Sequence, residues 1–324
     1  MKLSKEFTSA VVELFLDISY GSYSEKLQLK ILERADCPVD LLKHLSKSRE
    51  ESILRNIAEH KNTPEDVLYK LSCYNADWMT KAAVAANPNI TEKIINRIIK
   101  YEDDQDVINE LSQNPVFKAE HAVKLSKSKN DCIRDIIAEH PLTPIAVLEK
   151  LSKDKEASVQ EGVASNPNTP IRILKDLLKS PYAPIRRAAI SNPNVSTELL
   201  RETQGGINID ERTLFALIKN PNCPPEILEK HHMDRDDSLR GFIARNPNTP
   251  THVLMKYARY HSHGQCRRVK HNPSLPKVAR YILECDVTFE RRVELFKMEK
   301  AGATFEDIKN LVEIEKTFKD LAFG

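Results

Sequence analysis

The chain has 324 residues, 40% of them apolar, and 49 Lys and Arg against 47 Asp and Glu leave a net charge of +2. That apolar share suffices for a folded core, and the near balance of charge excludes net charge as the basis of partner choice. Eight glycines against 18 prolines argue for helices with rigid punctuation, and the six cysteines (Cys37, Cys73, Cys132, Cys223, Cys266, Cys285) include no C-x-x-C pair. Dispersed thiols in a chain this long imply a reducing, cytoplasmic setting.

Residues 1–33 are expected to form an N-terminal helical cap. The apolar residues between Lys5 and Ile18 are interrupted by Glu13 and Asp17. That pattern makes an amphipathic helix, neither a signal segment nor a membrane span. Glu25–Leu32 then reads as the second helix of a degenerate first repeat.

From there one unit recurs. Asn166-Pro167-Asn168-Thr169-Pro170, followed by Ile171, Leu174 and Leu177, returns as Asn246-Pro247-Asn248-Thr249-Pro250, followed by Val253 and Leu254. Aligned on Asn166, the anchor residues are Arg34, His60, Asn87, Asn114, His140, Asn166, Asn192, Asn220, Asn246 and Asn272, in steps of 26 to 28 residues. A fixed period of this size marks stacked supersecondary units. Residues 34–283 therefore form a solenoid of about ten 26-residue repeats.

Each unit predicts two helices. Thr169 suits an N-cap, its hydroxyl accepting from a first-turn amide, and Pro170 suits the first helical position. Thr63-Pro64, Thr143-Pro144 and Thr249-Pro250 repeat the device, and Val147, Leu148 and Leu151 show the apolar spacing of a first helix of about three turns. The second helix stops at the next Asn-Pro, because the residue before proline is pushed out of the α region. Its apolar positions are pairs such as Ile133 and Ile137 or Leu239 and Ile243, with alanine often two before the anchor, as at Ala138 and Ala244. Thr91 and Lys118 stand where proline is expected, so those caps are weaker. Gly205-Gly206 falls in the 28-residue step, either a bend or a tolerated surface insertion. Residues 284–324 form a C-terminal cap of two longer helices, Phe289–Lys300 and Thr304–Leu321, which cover the last repeat's apolar face.

The pattern of Ile185-Arg186, Ala189 and Asn192-Pro193-Asn194, continued by Asn246 to Leu254, resembles the bacterial leucine-rich repeat variant family. That family is all-helical and similar in style to HEAT and armadillo solenoids. The resemblance implies an all-α, right-handed superhelix of alternating short helices. One architecture of the family carries an N-terminal Fe–S cluster on clustered cysteines. Only Cys37 and then Cys73 lie in that part of this chain, so the resemblance implies no cofactor here.

Basic residues on the second helices are the leading candidates for binding. Lys81, Arg134, Arg186 and Arg240 recur six before the anchor, with Arg187 and Arg267 one place on. Stacking would align them into a ladder able to track phosphates. The alternative is local pairing, Asp77 with Lys81, Asp131 with Arg134 and Asp236 with Arg240, at helical spacing. From Arg235 to Leu283 ten Lys and Arg, including Arg245, Arg259, Arg268 and Lys270, face only Asp236 and Asp237. Tyr257, Tyr260 and Tyr281 add the aromatic surfaces that an anionic partner's site would use.

Other chemistry is thin. His231-His232 and His261-x-His263 with Cys266 hold ligand types but lack the second matched pair of a zinc site, so no metal is expected. His60 and His140 take the anchor place and read as helix-end residues. Cys37 and Cys223 take the Thr place and read as small, half-buried residues. No nucleophile elbow, phosphate loop or zinc-protease motif is present. A HEAT-like DNA-glycosylase type of enzyme, using an Asp among aromatics and cations, is the remaining catalytic alternative, with Trp78 the lone tryptophan. The expectation is a non-catalytic scaffold for a protein partner, with nucleic acid on the basic C-terminal repeats as the alternative.

Overall fold

The structure is a computed structural model describing residues 23–73, 76–203, 210–259, 267–285 and 287–323. Among them every regular element is a helix, and no helix is long and apolar enough to cross a membrane. The expected helix Lys5–Ile18, the Gly205-Gly206 loop, Tyr260, His261, His263 and Cys266 lie outside the described residues.

Helices of two lengths alternate through most of the chain. Seven-residue helices such as Glu65–Leu71 and Ile145–Leu151 are two turns long, shorter than the three expected. Serines stop these two. Ser72 and Ser152 turn back to donate to the Tyr69 and Glu149 carbonyls at 2.8 and 2.9 Å. The other class has nine residues, as in Trp78–Ala86, Asp131–Glu139 and Ala157–Ser165. These lie against one another in sequence order, Glu51–Glu59 on Trp78–Ala86 and Asp131–Glu139 on Ala157–Ser165, and are called stacking helices below. Their buried stripe (Ile133, Ile137 and Ala138, for example) meets the buried Val147, Leu148 and Leu151 side of a short helix to form the core.

The anchor explains why the repeat has its period. At Asn87 the backbone turns extended, with φ −67 and ψ 130, leaving the carbonyls of the last helical turn without intrahelical donors. The next repeat supplies them. Asn114 Nδ2 donates to the Ala85 and Asn87 carbonyls at 2.8 and 3.0 Å, and Asn246 does so to Ile218 and Asn220 at 2.7 and 2.8 Å. The amide oxygen meanwhile accepts from the backbone two residues on, Asn248 N–H to Asn246 Oδ1 at 2.9 Å. The anchor asparagines are at most 5% exposed.

Histidine reproduces the acceptor bond and one of the two donor bonds. His140 Nδ1 accepts from Leu142 N–H at 3.1 Å, which leaves the proton on Nε2 to donate to the Ser112 carbonyl at 2.9 Å. His60 does the same between Asn62 N–H and the Arg34 carbonyl. Both are the helix-end residues their position implied.

The threonine and proline roles differ from the sequence reading. Thr169 Oγ1 donates to the Val163 carbonyl at 2.6 Å, six residues back, and Thr63 and Thr249 make the same bond to Ile57 and Ile243. The hydroxyl therefore closes the preceding helix and does not cap the following one. Pro64 and Pro144 themselves occupy the N-cap, one place earlier than expected, with extended ψ of 157 and 146. Thr91 caps without a side-chain bond, while at Lys118 the N–H is taken by His121 Nδ1 at 3.0 Å. Cys37 and Cys223, in the threonine place, are fully buried and not half-buried; burial pushes their thiol pKa up to about 11 and about 12.

The chain divides between Ile173 and Leu174 into two compact units. In the second, the stacking helices Ala183–Ser191, Glu211–Lys219 and Asp237–Arg245 follow one another, and Lys277–Glu284 closes against Phe289–Lys300 and Phe305–Phe323. Tyr281 meets the Phe305 ring edge-on at 5.4 Å, and Leu295, Phe296 and Ile308 are buried. Those last two helices thus cover the end of the unit. The turn between them needs Gly302, whose φ is +102.

Candidate binding surfaces on the stacking helices

Residues eight, five, four and one before each anchor share one side of a stacking helix, since positions three and four apart lie on one face. The buried stripe takes the positions seven, three and two before it, and the small residues Ala83, Gly162 and Ala216 at position four are buried as well, at the margin of the open side. The open side is therefore where the chain varies without disturbing its core.

In the first unit that side has two characters. On Trp78–Ala86 it carries Met79, Ala82 and Ala86 beside Trp78, and Trp78 and Met79 are 47% and 38% exposed. Small neighbours leave the indole and thioether standing proud of a shallow apolar surface. Farther on, Asp106, Glu110, Asp135, Glu139 and Glu161 occupy the same side, with Asp131 at its edge. Gly162 admits close packing there: a Cβ on it would stand 2.6 Å from Asp135 Oδ1 and 3.0 Å from Ala138 Cβ. Burial first, then the charges of Glu139, Glu161 and Asp131, push the Asp135 pKa up to about 6.

In the second unit the same positions are basic and aromatic. Arg212 and Lys219 stand exposed on Glu211–Lys219, and Arg245 and Arg267 stand exposed at their places farther on. Between them Phe215 and Phe242 meet edge-to-face at 6.1 Å, and Lys219 Nζ lies 4.5 Å from the Phe242 ring centre. Ala188, Ala216 and Gly241 hold places beside them and keep the surface low. Arg268 lies across Gly241 and reaches both the Asp237 carbonyl and carboxylate at 3.0 Å. That ion pair holds the Asp237 pKa below the ordinary value.

Of the basic residues singled out by sequence, several serve the fold. Arg186 Nη1 donates to the Ser180 and Pro181 carbonyls at 2.7 and 2.9 Å, and Arg240 donates to the Asp234 carbonyl and to Asp237 at 3.1 Å. Arg187 is 4.0 Å from Asp210, and Arg259 pairs with Glu299 at 2.6 Å. Arg245, Arg267 and Lys270 make no ion pair among the described residues.

The ladder partners also differ from local spacing. Arg134 takes Asp154 with two bonds of 2.8 and 3.0 Å, and Lys81 takes Glu102 at 3.0 Å. Asp77 and Asp236 instead cap helices, accepting from Thr80 N–H at 3.0 Å and Ser238 N–H at 2.7 Å. Tyr257 is a core residue, 2% exposed with its hydroxyl on the His232 carbonyl at 2.7 Å, and Tyr281 faces the end helix. Sequence reading missed Arg212, Lys219, Phe215 and Phe242. Tabulating the open positions of the repeat, rather than counting charge along a window, exposes them.

Among the described residues one cluster brings metal-ligand types together: Glu92, Glu120 and His121 place donor atoms within 4.8 Å of one another. Both nitrogens of buried His121 are engaged, Nε2 with Glu92 at 2.9 Å and Nδ1 with the Lys118 N–H. The Lys118 ammonium stands 3.4 Å from Glu92, so the cation the carboxylates would attract is already a side chain. The His121 hydrogen bond is the main cause that lowers the Glu92 pKa to about 2. Compared with known proteins, the chain matches no family model, and no curated protein matches it either.

Proposed function

We propose that the chain is a non-catalytic, right-handed α-solenoid of about ten 26-residue repeats over residues 34–283, between helical caps at 1–33 and 284–324. Its function in this reading is to bind a protein partner along the open side of the stacking helices. Anchor bonds such as those of Asn114 and Asn246, crossing from one repeat to the preceding one, support the repeat reading, as does the resemblance to the leucine-rich repeat variant family. The observation that carries the function is Trp78 with Met79, exposed on a surface flattened by Ala82 and Ala86. A large aromatic on an open, otherwise small-residue surface is the kind of anchor that dominates protein interfaces. The carboxylates farther along the same side select a partner segment with an apolar residue flanked by Lys or Arg.

A solenoid enzyme of the glycosylase type needs an acid poised among aromatics and cations. Asp135 is the carboxylate with a raised pKa among the described residues, and the charges that raise it are other carboxylates. That setting favours binding over catalysis. The test is capture from nuclease-treated lysate of the source cells on the immobilised chain, beside the Trp78→Ala/Met79→Ala variant and a Leu142→Ala control. Leu142 is 48% exposed but lies in a loop. Retention of a protein by the wild type and the control, and its loss in the double variant, is expected. Identical capture by all three would overturn the reading.

A further inference from the structure

The basic side of the second unit calls for a partner different from that of the first. We propose that it binds single-stranded nucleic acid, Arg212, Arg245 and Arg267 taking phosphates and Phe242 taking a base. This rests on the reading that the open side of the stacking helices is the working surface, and it names the ligand for the second unit.

Three observations favour a nucleic-acid strand over an acidic protein. The exposed cations are mostly arginines, whose planar forks match phosphate oxygens. Two nearby carboxylates are already engaged, Asp237 by Arg240 and Arg268, and Asp210 by the Thr213 N–H at 2.7 Å, so they oppose an anion less than free ones would. The apolar groups between the arginines are flat rings on a low surface of Ala188, Ala216 and Gly241. They are not aliphatic pockets. The Lys219 ammonium lies over the Phe242 ring at 4.5 Å, so a base stacking on that face displaces it and leaves Lys219 within reach of the attached phosphate. Interleaved cations and rings are what a backbone with splayed bases requires, whereas a duplex hides its bases from such rings.

The test is fluorescence anisotropy of the full chain with labelled thymidine and uridine strands of about 20 nucleotides and a duplex of the same length. Binding of the single strands is expected, weakening about 50-fold between roughly 50 and 200 mM salt if four phosphates are contacted. Arg212→Glu/Arg245→Glu/Arg267→Glu should abolish it. Phe242→Leu should weaken it about tenfold with the salt slope unchanged, the signature of lost stacking. Thermal melting of each variant separates lost binding from lost folding. Trp78→Ala/Met79→Ala should bind the strands as the wild type does.

Absence of binding at low salt overturns the proposal while leaving the Trp78 surface to its own test. Equal binding of duplex with no effect of Phe242→Leu overturns it in favour of unspecific attraction. Full competition by polyglutamate with Phe242→Leu silent overturns it in favour of an acidic protein. Preference for uridine or for thymidine strands supports it and tells RNA from DNA.

Discussion

The anchor side chain does the work of a backbone strand. Asn87, Asn114, Asn166, Asn220, Asn246 and Asn272 each join the end of one stacking helix to the end of the preceding one through two N–H donors, and a buried carbonyl left without them bears a desolvation cost. Asn246→Ala should therefore lower stability by about 2–4 kcal/mol, from the loss of both bonds and the Asx turn. His140→Asn should change it by less than about 1 kcal/mol, because asparagine offers the same acceptor and donor and adds a second donor for the neighbouring carbonyl, while His140→Leu should cost about 2–3 kcal/mol. Urea unfolding of the three variants checks this.

Asp135 supplies a pH dependence with a definite sign. Its folded pKa of about 6 lies above the ordinary 3.8, so the native state binds the proton more tightly than the unfolded chain. The stability that proton contributes is fully present below about pH 4 and lost as pH rises through about 6. Asp135→Asn should thus stabilise the protein at about pH 8 by about 1 kcal/mol, a figure reduced for the side chain's half exposure, and change little at about pH 4. Unfolding at both pH values measures it.

At the scale of the helix, packing decides what propensity alone would misjudge. Gly162→Ala gains about 1 kcal/mol of helix propensity, yet the new Cβ would meet the Ala138 side chain at 3.0 Å and the Asp135 carbonyl at 3.2 Å. Net destabilisation by about 1–2 kcal/mol is expected, because the backbone oxygen cannot move aside. Gly241→Ala should be nearly neutral, since its neighbour is the flexible end of Arg268. Thermal melting of the two variants side by side tests the contrast.

The same scale shows what the sequence made legible. The alternation of helices and the stop of each stacking helix at the anchor follow from Asn-Pro and from apolar spacing, because proline acts on its immediate neighbour, whereas the short helices start one residue later and run a turn less than expected. The direction of the Thr169 hydrogen bond does not, because a hydroxyl both donates and accepts and the orphan carbonyl lies six residues back. Arg134 pairs with Asp154, 20 residues away, so rules for neighbours on one helix could not find it. Residues such as Arg212 and Phe242 become visible only once the repeat tells which side of each helix is open.

Across the whole molecule, open positions of one repeat pattern are filled by different chemistry in the two units. An apolar anchor among carboxylates marks the first, and arginines with phenylalanines mark the second. Such segregation leaves the net charge near zero, which is why composition concealed it. The two surfaces should also differ in salt response: contacts at Trp78 persist at high salt, whereas those at Arg212 and Arg245 fade within a Debye length of about 8 Å at physiological strength. Trp78 is the single tryptophan of the chain, so its emission reports on the first surface without a label. The decisive measurement is its emission spectrum during titration with the protein retained by capture, with binding followed separately by sedimentation. A saturable blue shift in step with binding is expected, as the indole leaves water. Binding with the Trp78 emission unchanged would contradict the assignment of the stacking-helix surface as the site of partner recognition.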